Sequence, residues 1–359
     1  MITALAAVAL LSCRGQEDDT ALPVLSVNDS EIDLAVETQA VFTVTLNGRD
    51  VTEASSVYST TSSLELQDNV FTPDKTGIHT FVAEYDGAQS NSVQVNVIDS
   101  TPADVESKYD RHVCVIEFTG GWCINCPEGY DKMKAILAHP QLADYKDNIH
   151  VCAFHSDAEG RDDLAVAVTQ DVFRLCSSLC PGLAYPSFAT DLRVAGVLTD
   201  AGASDFRPSI EAAFTEHLPH CGVAVTSVTD ADKTSAEVTV KVASELTSGY
   251  RVVVLVVQDK IKGWQKTTTY PDGIDDYSHR HVVRNVVTTY AGTFTGEKLT
   301  TDGRIAAGEE ASKTWTVDVA QEWVLENTYI YALVLDSEGF VNNMNVCALD
   351  GGDSGYDIK

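Results

Sequence analysis

Apolar and polar residues alternate in short runs over residues 22–97, the period expected of half-buried strands. Residues 40–46 lead into Asn47-Gly48 and residues 78–85 into Asp86-Gly87, dipeptides that favour tight hairpins, and residues 92–97 close the segment. About seven strands in this length predict a small β-sandwich. After Cys221 the period of two returns at 223–228, 236–242, 250–257, 281–287, 314–319, 329–335 and 341–347, again the strand count of a β-sandwich. Residues 258–280 and 288–312 read as the longer loops.

Between these regions the period changes. A polar, proline-containing stretch at 99–104 marks a boundary. Residues 113–118 form an apolar run that predicts a buried strand; two glycines follow, then two cysteines spaced C-x-x-C, then an amphipathic segment at 128–137. Residues 149–155 predict a second buried strand. Leu164, Val168, Val172 and Leu175 have helical spacing, and 206–218 predicts a closing helix capped by Ser204 or Asp205. Alternation of strand and helix fits a mixed sheet flanked by helices. The expected division is a signal and tether at 1–21, a sandwich at 22–99, an α/β domain at 104–220 and a second sandwich at 221–359.

Composition narrows the setting. Of 359 residues, 24 are basic and 53 acidic, so the net charge of −29 argues against nucleic acid or an anionic lipid surface as partner. Residues 2–12 are small and apolar but too few to span a bilayer, and they read as a secretory core ending at a cleavage site. Nine cysteines suit an exported chain better than a cytosolic one.

The spacing of Cys123 and Cys126 suggests chemistry. With Cys123 at a helix N-cap, free backbone N–H groups and the dipole would favour its thiolate, making it the attacking sulfur. Cys126, one turn on, would close a disulfide and release a mixed-disulfide partner. Glu117 interrupts an otherwise apolar strand six positions before Cys123. A carboxyl buried there would have its pKa raised, so it could shuttle a proton for Cys126 near neutral pH. His155 follows the second strand and reads as an ordinary satisfied histidine. Cys114 and Cys152 read as small core residues. Cys176 and Cys180 could pair structurally, could relay, or could be inert; the pairing of Cys221 and Cys347 stays open.

Glu117, Phe118, Trp122, Cys123 and Cys126 together resemble the motif of the thioredoxin superfamily: strand, buried acid, aromatic residue, Trp-Cys-x-x-Cys. That resemblance implies a central α/β thioredoxin-like domain, a thiol-disulfide oxidoreductase needing no cofactor, and a cis-proline beside the disulfide, for which Tyr185-Pro186-Ser187 is the match. Trp122 and Pro186 then join the site. This chain departs from the superfamily in having Glu in place of Asp, Ile124-Asn125 in place of Gly-Pro, and a long excursion between Phe154 and Tyr185. The first sandwich resembles a bacterial immunoglobulin-like domain. Leu10-Leu11-Ser12-Cys13 resembles the bacterial lipobox, which implies lipidation of Cys13 and an outer-membrane anchor; Gln16-Glu17-Asp18-Asp19 resembles an acidic surface-export tag, although a solvated tether would look the same.

A narrower resemblance rests on Val115-Ile116-Glu117-Phe118-Thr119-Gly120, Cys123, Asn125-Cys126-Pro127-Glu128-Gly129, Asp276-Tyr277 and His281-Val282-Val283-Arg284. Over roughly residues 105–350 these look like the Bacteroidetes lipoprotein family related to a twenty-eight-kilodalton outer membrane protein. The resemblance implies an outer membrane lipoprotein facing the cell surface or the periplasm.

Two functions follow. One is an exchange enzyme acting on exported protein thiols and disulfides. The other is a non-enzymatic surface lipoprotein that binds glycan or protein, with a structural cysteine pair; burial of that pair would favour it. Asp272, Asp275, Asp276, His279 and His281 could hold a metal, but a polar loop in an acidic protein gives such a cluster by chance. A zinc site joining Cys123 and Cys126 to Cys176 and Cys180 is permitted by spacing, yet nothing in an oxidising setting calls for it. No metal is assigned.

Overall fold

The computed structural model describes residues 21–36, 39–60, 64–100, 106–198, 205–288 and 294–359. Cys13, the acidic tag and most of the expected linker lie outside them. The chain forms two compact units. One comprises residues up to Glu31 with Gln39–Phe71 and Ile78–Asn96; the other comprises Ile32–Thr38, Thr72–Gly77 and Val97–Lys359.

The first unit is built of β-strands, with single 3-10 turns at Thr52–Ala54 and Gln67–Asn69. Strand Ala40–Leu46 pairs antiparallel with Val24–Val27, with Arg49–Asp50 and with Val70–Phe71; Ser56–Ser59 pairs with the strand that ends at Tyr85. Asn47 and Gly48 both have positive φ (51° and 76°), the conformation a two-residue hairpin needs for its twist to match its strands. Alternation in Ala40–Leu46 buries Ala40, Phe42 and Val44, and the Phe42 ring meets Phe81 at 4.7 Å.

In the second unit we number strands β1 (Val113–Thr119), β2 (Ile149–His155), β3 (Ser187–Thr190), β4 (Val194–Val197), β5 (Cys221–Thr229), β6 (Ser235–Ser244), β7 (Arg251–Gln258), β8 (Ile261–Gln265), β9 (Ile274–His279), β10 (Val282–Val286), β11 (Glu310–Asp318), β12 (Thr328–Leu335) and β13 (Val341–Ala348). The helices are α1 (Cys126–Leu137), α2 (Thr169–Ser177) and α3 (Arg207–Thr215). One nine-stranded sheet runs β4-β3-β1-β2-β10-β7-β12-β13, with the short strand Glu297–Lys298 beside β7. Strands β5, β6 and β11 form a three-stranded sheet, and β8 and β9 form a hairpin by themselves.

This topology overturns the expected fold class of an immunoglobulin-like β-sandwich, a central α/β thioredoxin-like domain and a C-terminal β-sandwich. The chain is mostly β, with three α-helices among the described residues. No separate central α/β domain forms, because β2 pairs in parallel with β10 through Ala153 and Val282 and so continues the sheet into the C-terminal strands. Those strands are in turn divided among the nine-stranded sheet, the three-stranded sheet and two two-stranded sheets. Near the N-terminus, residues 32–38 and 72–77 group with the second unit.

The composition of β7 explains why it lies inside the sheet. RVVVLVVQ is an unbroken apolar run, the signature of a strand covered on both faces. Val253, Leu255 and Val257 enter one core with Cys114, Ile116 and Phe118 of β1 and Val172 of α2. Val252, Val254 and Val256 enter the other, with Val223 and Val225 of β5 and Val238 and Val240 of β6. Strand β12 splits the same way: Leu333 and Leu335 face the first core, Ile330, Ala332 and Val334 the second.

Candidate functional site

Successive side chains of β1 alternate between faces. Cys114, Ile116 and Phe118 enter the core shared with β7, while Val115 packs with Met133 of α1, Phe188 of β3 and Ile210 of α3. Glu117 stands on the same face as Val115, directed to the side where α1 begins. It is 3 % exposed, and burial alone pushes its carboxyl up to about 8.

Beyond β1 the chain turns through Gly120-Gly121-Trp122, and Cys123 and Cys126 are joined in a disulfide with an S–S distance of 2.12 Å and a Cα–Cα distance of 5.4 Å. Helix α1 starts at Cys126 with Asn125 as N-cap and Pro127 in its first turn, where the missing N–H costs little. Cys123 is therefore not the N-cap residue; it lies in the preceding turn, and its carbonyl accepts from the Cys126 N–H at 3.3 Å. Both half-cystines are buried, Cys123 at 4 % and Cys126 at 2 % exposure.

Cys126 and Glu117 both line a cavity of about 20 Å³. That is room for roughly one water. Pro127, Tyr130, His155, Tyr277 and His279 complete much of its wall. The Tyr185–Pro186 peptide is cis, and Pro186 rests on Gly129 of α1. Trp122 is fixed at both ends: its Nε1–H donates to the Ser156 carbonyl at 2.6 Å, and its ring meets Tyr185 edge-on at 5.4 Å.

The structure adds residues that the pattern of the chain does not mark. His155 is buried and bonds through Nδ1 to Asp162 Oδ2 at 2.7 Å. Burial raises the Asp162 carboxyl, but the bond to His155 and the N–H groups of Gly121 and Leu164 outweigh it and hold the group below its ordinary value. Gln265 reaches in from β8, and its side-chain amide lies within hydrogen-bonding distance of the Gly120, Gly121 and Cys123 carbonyls. His155 stood out only as a histidine at the end of a predicted strand, and Gln265 lay in a stretch read as loop with no signal of its own.

The remaining candidates separate. Cys176, Cys180, Cys221 and Cys347 are free, so the Cys176–Cys180 bridge is not formed and the four-cysteine zinc arrangement is not assembled. Cys114 and Cys152 lie in the core with their sulfurs 3.7 Å apart. Of the acidic loop, Asp275, Asp276 and His279 lie on β9, while His281 pairs with Asp259 at 3.4 Å. No group of three or more potential metal ligands occurs among the described residues.

Residues 214–350 match the family "Outer membrane protein Omp28". No curated protein matches the chain. Among solved structures, HBP35 of Porphyromonas gingivalis is similar over 68 % of this chain and 77 % of its own, with a TM-score of 0.54 and 16 % identity, a likeness of fold. Domains 4–9 of the surface layer protein SbsC overlap 91 % of this chain and 50 % of their own at a TM-score of 0.20 and 12 % identity, too low to support any argument. The Omp28 match falls within the region of the narrower family resemblance, and with it the chain is an exported protein of the outer membrane or cell surface.

Proposed function

We propose that Cys123 and Cys126 form a thiol-disulfide exchange centre in a protein anchored at the outer membrane through a lipidated Cys13, with exported protein thiols and disulfides as partners. One observation supports this above others: the buried acid Glu117 and the inner sulfur, Cys126, border the same water-sized cavity. A cystine that only holds a loop has no use for an acid behind it, and an uncompensated buried carboxyl is a cost to the fold. The spacing adds a second argument. Closing a four-residue loop removes little chain entropy, about 2 kcal/mol, so this bridge is a poor staple.

From the oxidised form, an incoming thiolate attacks Cys123 Sγ and forms a mixed disulfide. The Cys123–Cys126 bond breaks, and Cys126 Sγ leaves with the electron pair. Glu117, protonated at neutral pH, supplies the proton through the shared cavity. In the reverse direction Glu117 takes the proton back as Cys126 attacks the mixed disulfide and expels the partner's thiolate. Pro186 and Trp122 shape the two sides of the pair. Support on the sequence side comes from the motif alone.

The test is the rate of exchange with a model disulfide, together with the reduction potential of the pair. Glu117→Gln should slow release of the mixed disulfide by about a hundredfold, the lower end of general acid-base effects. Exchange that survives Cys123→Ser sinks the proposal. A second reading, a structural pair in a surface protein that binds glycan or protein, is favoured by the burial of both sulfurs. Resistance of the oxidised pair to mild thiols would select it.

A further inference from the structure

Buried sulfurs and exchange chemistry are reconciled by the β8–β9 hairpin. Gln265, 2 % exposed, points its amide at four carbonyl oxygens: Gly120 and Gly121 at 3.2 Å each, Cys123 at 3.0 Å and Lys266 at 2.8 Å. An NH₂ group has two hydrogens, so these acceptors share it. Beside it, the Lys266 N–H donates to the Gly121 carbonyl at 2.8 Å. Trp264 closes on Gly121 so tightly that a Cβ there would lie 2.9 Å from the Trp264 carbonyl oxygen. At the exposed rim, Thr268 Oγ1 donates to Glu128 Oε1 at 3.0 Å.

We infer that this hairpin is a latched cover, with Gln265 the positioning residue that ties it to the Cys123 loop, and that its release admits polypeptide thiols while the closed form admits only small ones. The inference rests on the exchange reading above. Its geometry is specific. The Gly120 and Gly121 carbonyls ahead of Cys123 are already bonded by the hairpin, so an incoming polypeptide cannot use them while it is closed. The hairpin forms a sheet of two strands, joined to no ladder of the nine-stranded sheet, and can swing on Lys260 and Arg280, leaving intact the bond from the Ala153 N–H to the His281 carbonyl that joins β2 to β10. Its release therefore costs the Gln265 and Lys266 bonds, the Trp264 contact, the rim bond and the packing of the buried His279 ring against His155.

The experiment uses the oxidised full chain and two probes at equal thiolate concentration, dithiothreitol and an unstructured peptide carrying one cysteine. Reduction of the Cys123–Cys126 pair is followed by alkylation and mass. Gln265→Ala should raise the peptide rate about tenfold or more, the factor set by losing a buried hydrogen bond, and change the dithiothreitol rate less than about threefold. Thr268→Val removes only the rim bond and leaves the buried contacts intact; it should move the peptide rate in the same direction by about twofold. Equal acceleration of both probes in Thr268→Val, or no acceleration of the peptide in either variant, overturns the inference. Equal rates for both probes in the unaltered protein overturn it as well while leaving exchange in place. A pair that neither probe reduces in any variant overturns the exchange reading itself.

Discussion

Gly129 and Pro186 are in direct contact: a methyl group added at Gly129 would lie 2.5 Å from Cγ and 2.7 Å from Cβ of the proline. Gly129 occupies the first turns of α1, whose first residue is Cys126, and Pro186 precedes β3. The absence of a side chain thus sets the depth of the redox loop against the 185–187 segment. Gly129→Ala gains about 1 kcal/mol of helix propensity. It must also displace the proline or the helix, an overpacking cost of about 1–3 kcal/mol. Net destabilisation is expected in denaturant unfolding of the oxidised protein; unchanged or higher stability would show that the helix has slack here.

Glu117 makes stability depend on pH in a direction that can be worked out. Burial raises its carboxyl from 4.5 to about 8 in the folded chain, so between those values the folded state holds a proton that the unfolded state has lost. Stability from this group is complete below the unfolded value and is lost as pH rises through the folded one, by roughly 5 kcal/mol in all. Asp336, raised by burial to about 6, slopes the same way, so the comparison is with a variant. Glu117→Gln should flatten the decline between pH 5 and 8 in urea-unfolding series, both conditions being taken from about the width of the shift. Parallel curves for the two proteins would place the Glu117 carboxyl in contact with solvent.

Glu117 was legible because a charge in an apolar run is conspicuous, and β7 and β12 were legible as strands, although not as strands covered on both faces, which their near-continuous apolar runs require. What a period of two does not encode is the partner of each strand. Ala153 and Val282 look like members of separate domains until their strands pair, and that one junction carries the sheet of the expected central domain into the C-terminal strands. The site was half visible for the same reason. Cys123, Cys126 and Glu117 are local in sequence, whereas Gln265 meets the Cys123 carbonyl from 142 residues away. Its hairpin was read as loop because Lys262, Gly263 and Trp264 do not alternate cleanly between apolar and polar.

Arg111 illustrates a further group invisible to pattern. It is buried beside Asp191, with Nη2 and Oδ2 2.5 Å apart, and it also donates to the carbonyls of Ala213, His217 and Val341. Asp191 in turn accepts from the Cys114 N–H at 2.8 Å, so one ion pair ties the start of β1 to α3 and β13. Burial drives the Asp191 carboxyl upward, and the Arg111 guanidinium opposes that rise. Arg111→Met strands the carboxylate and should cost about 3–5 kcal/mol. Adding Asp191→Asn removes the stranded charge and should recover part of the loss, which a double-mutant cycle in denaturant measures. Additive losses would mean that the two groups do not act as a pair.

The cystine itself allows a test of staple against exchange centre that needs no substrate. A bridge between residues three apart in sequence constrains the unfolded chain little, so reducing it should lower unfolding free energy by about 2 kcal/mol or less. Around the pair, the bonds from Gln265 to the Gly120, Gly121 and Cys123 carbonyls use no sulfur atom, so reduction need not break them. Oxidised and reduced protein, unfolded in parallel in urea with free thiols blocked afterwards, should therefore give close midpoints and the same slope. A loss of about 4 kcal/mol or more on reduction exceeds what so short a loop supplies through chain entropy. It would assign the pair to holding the β1–α1 corner together, with Glu117 left as a buried acid of no chemical consequence.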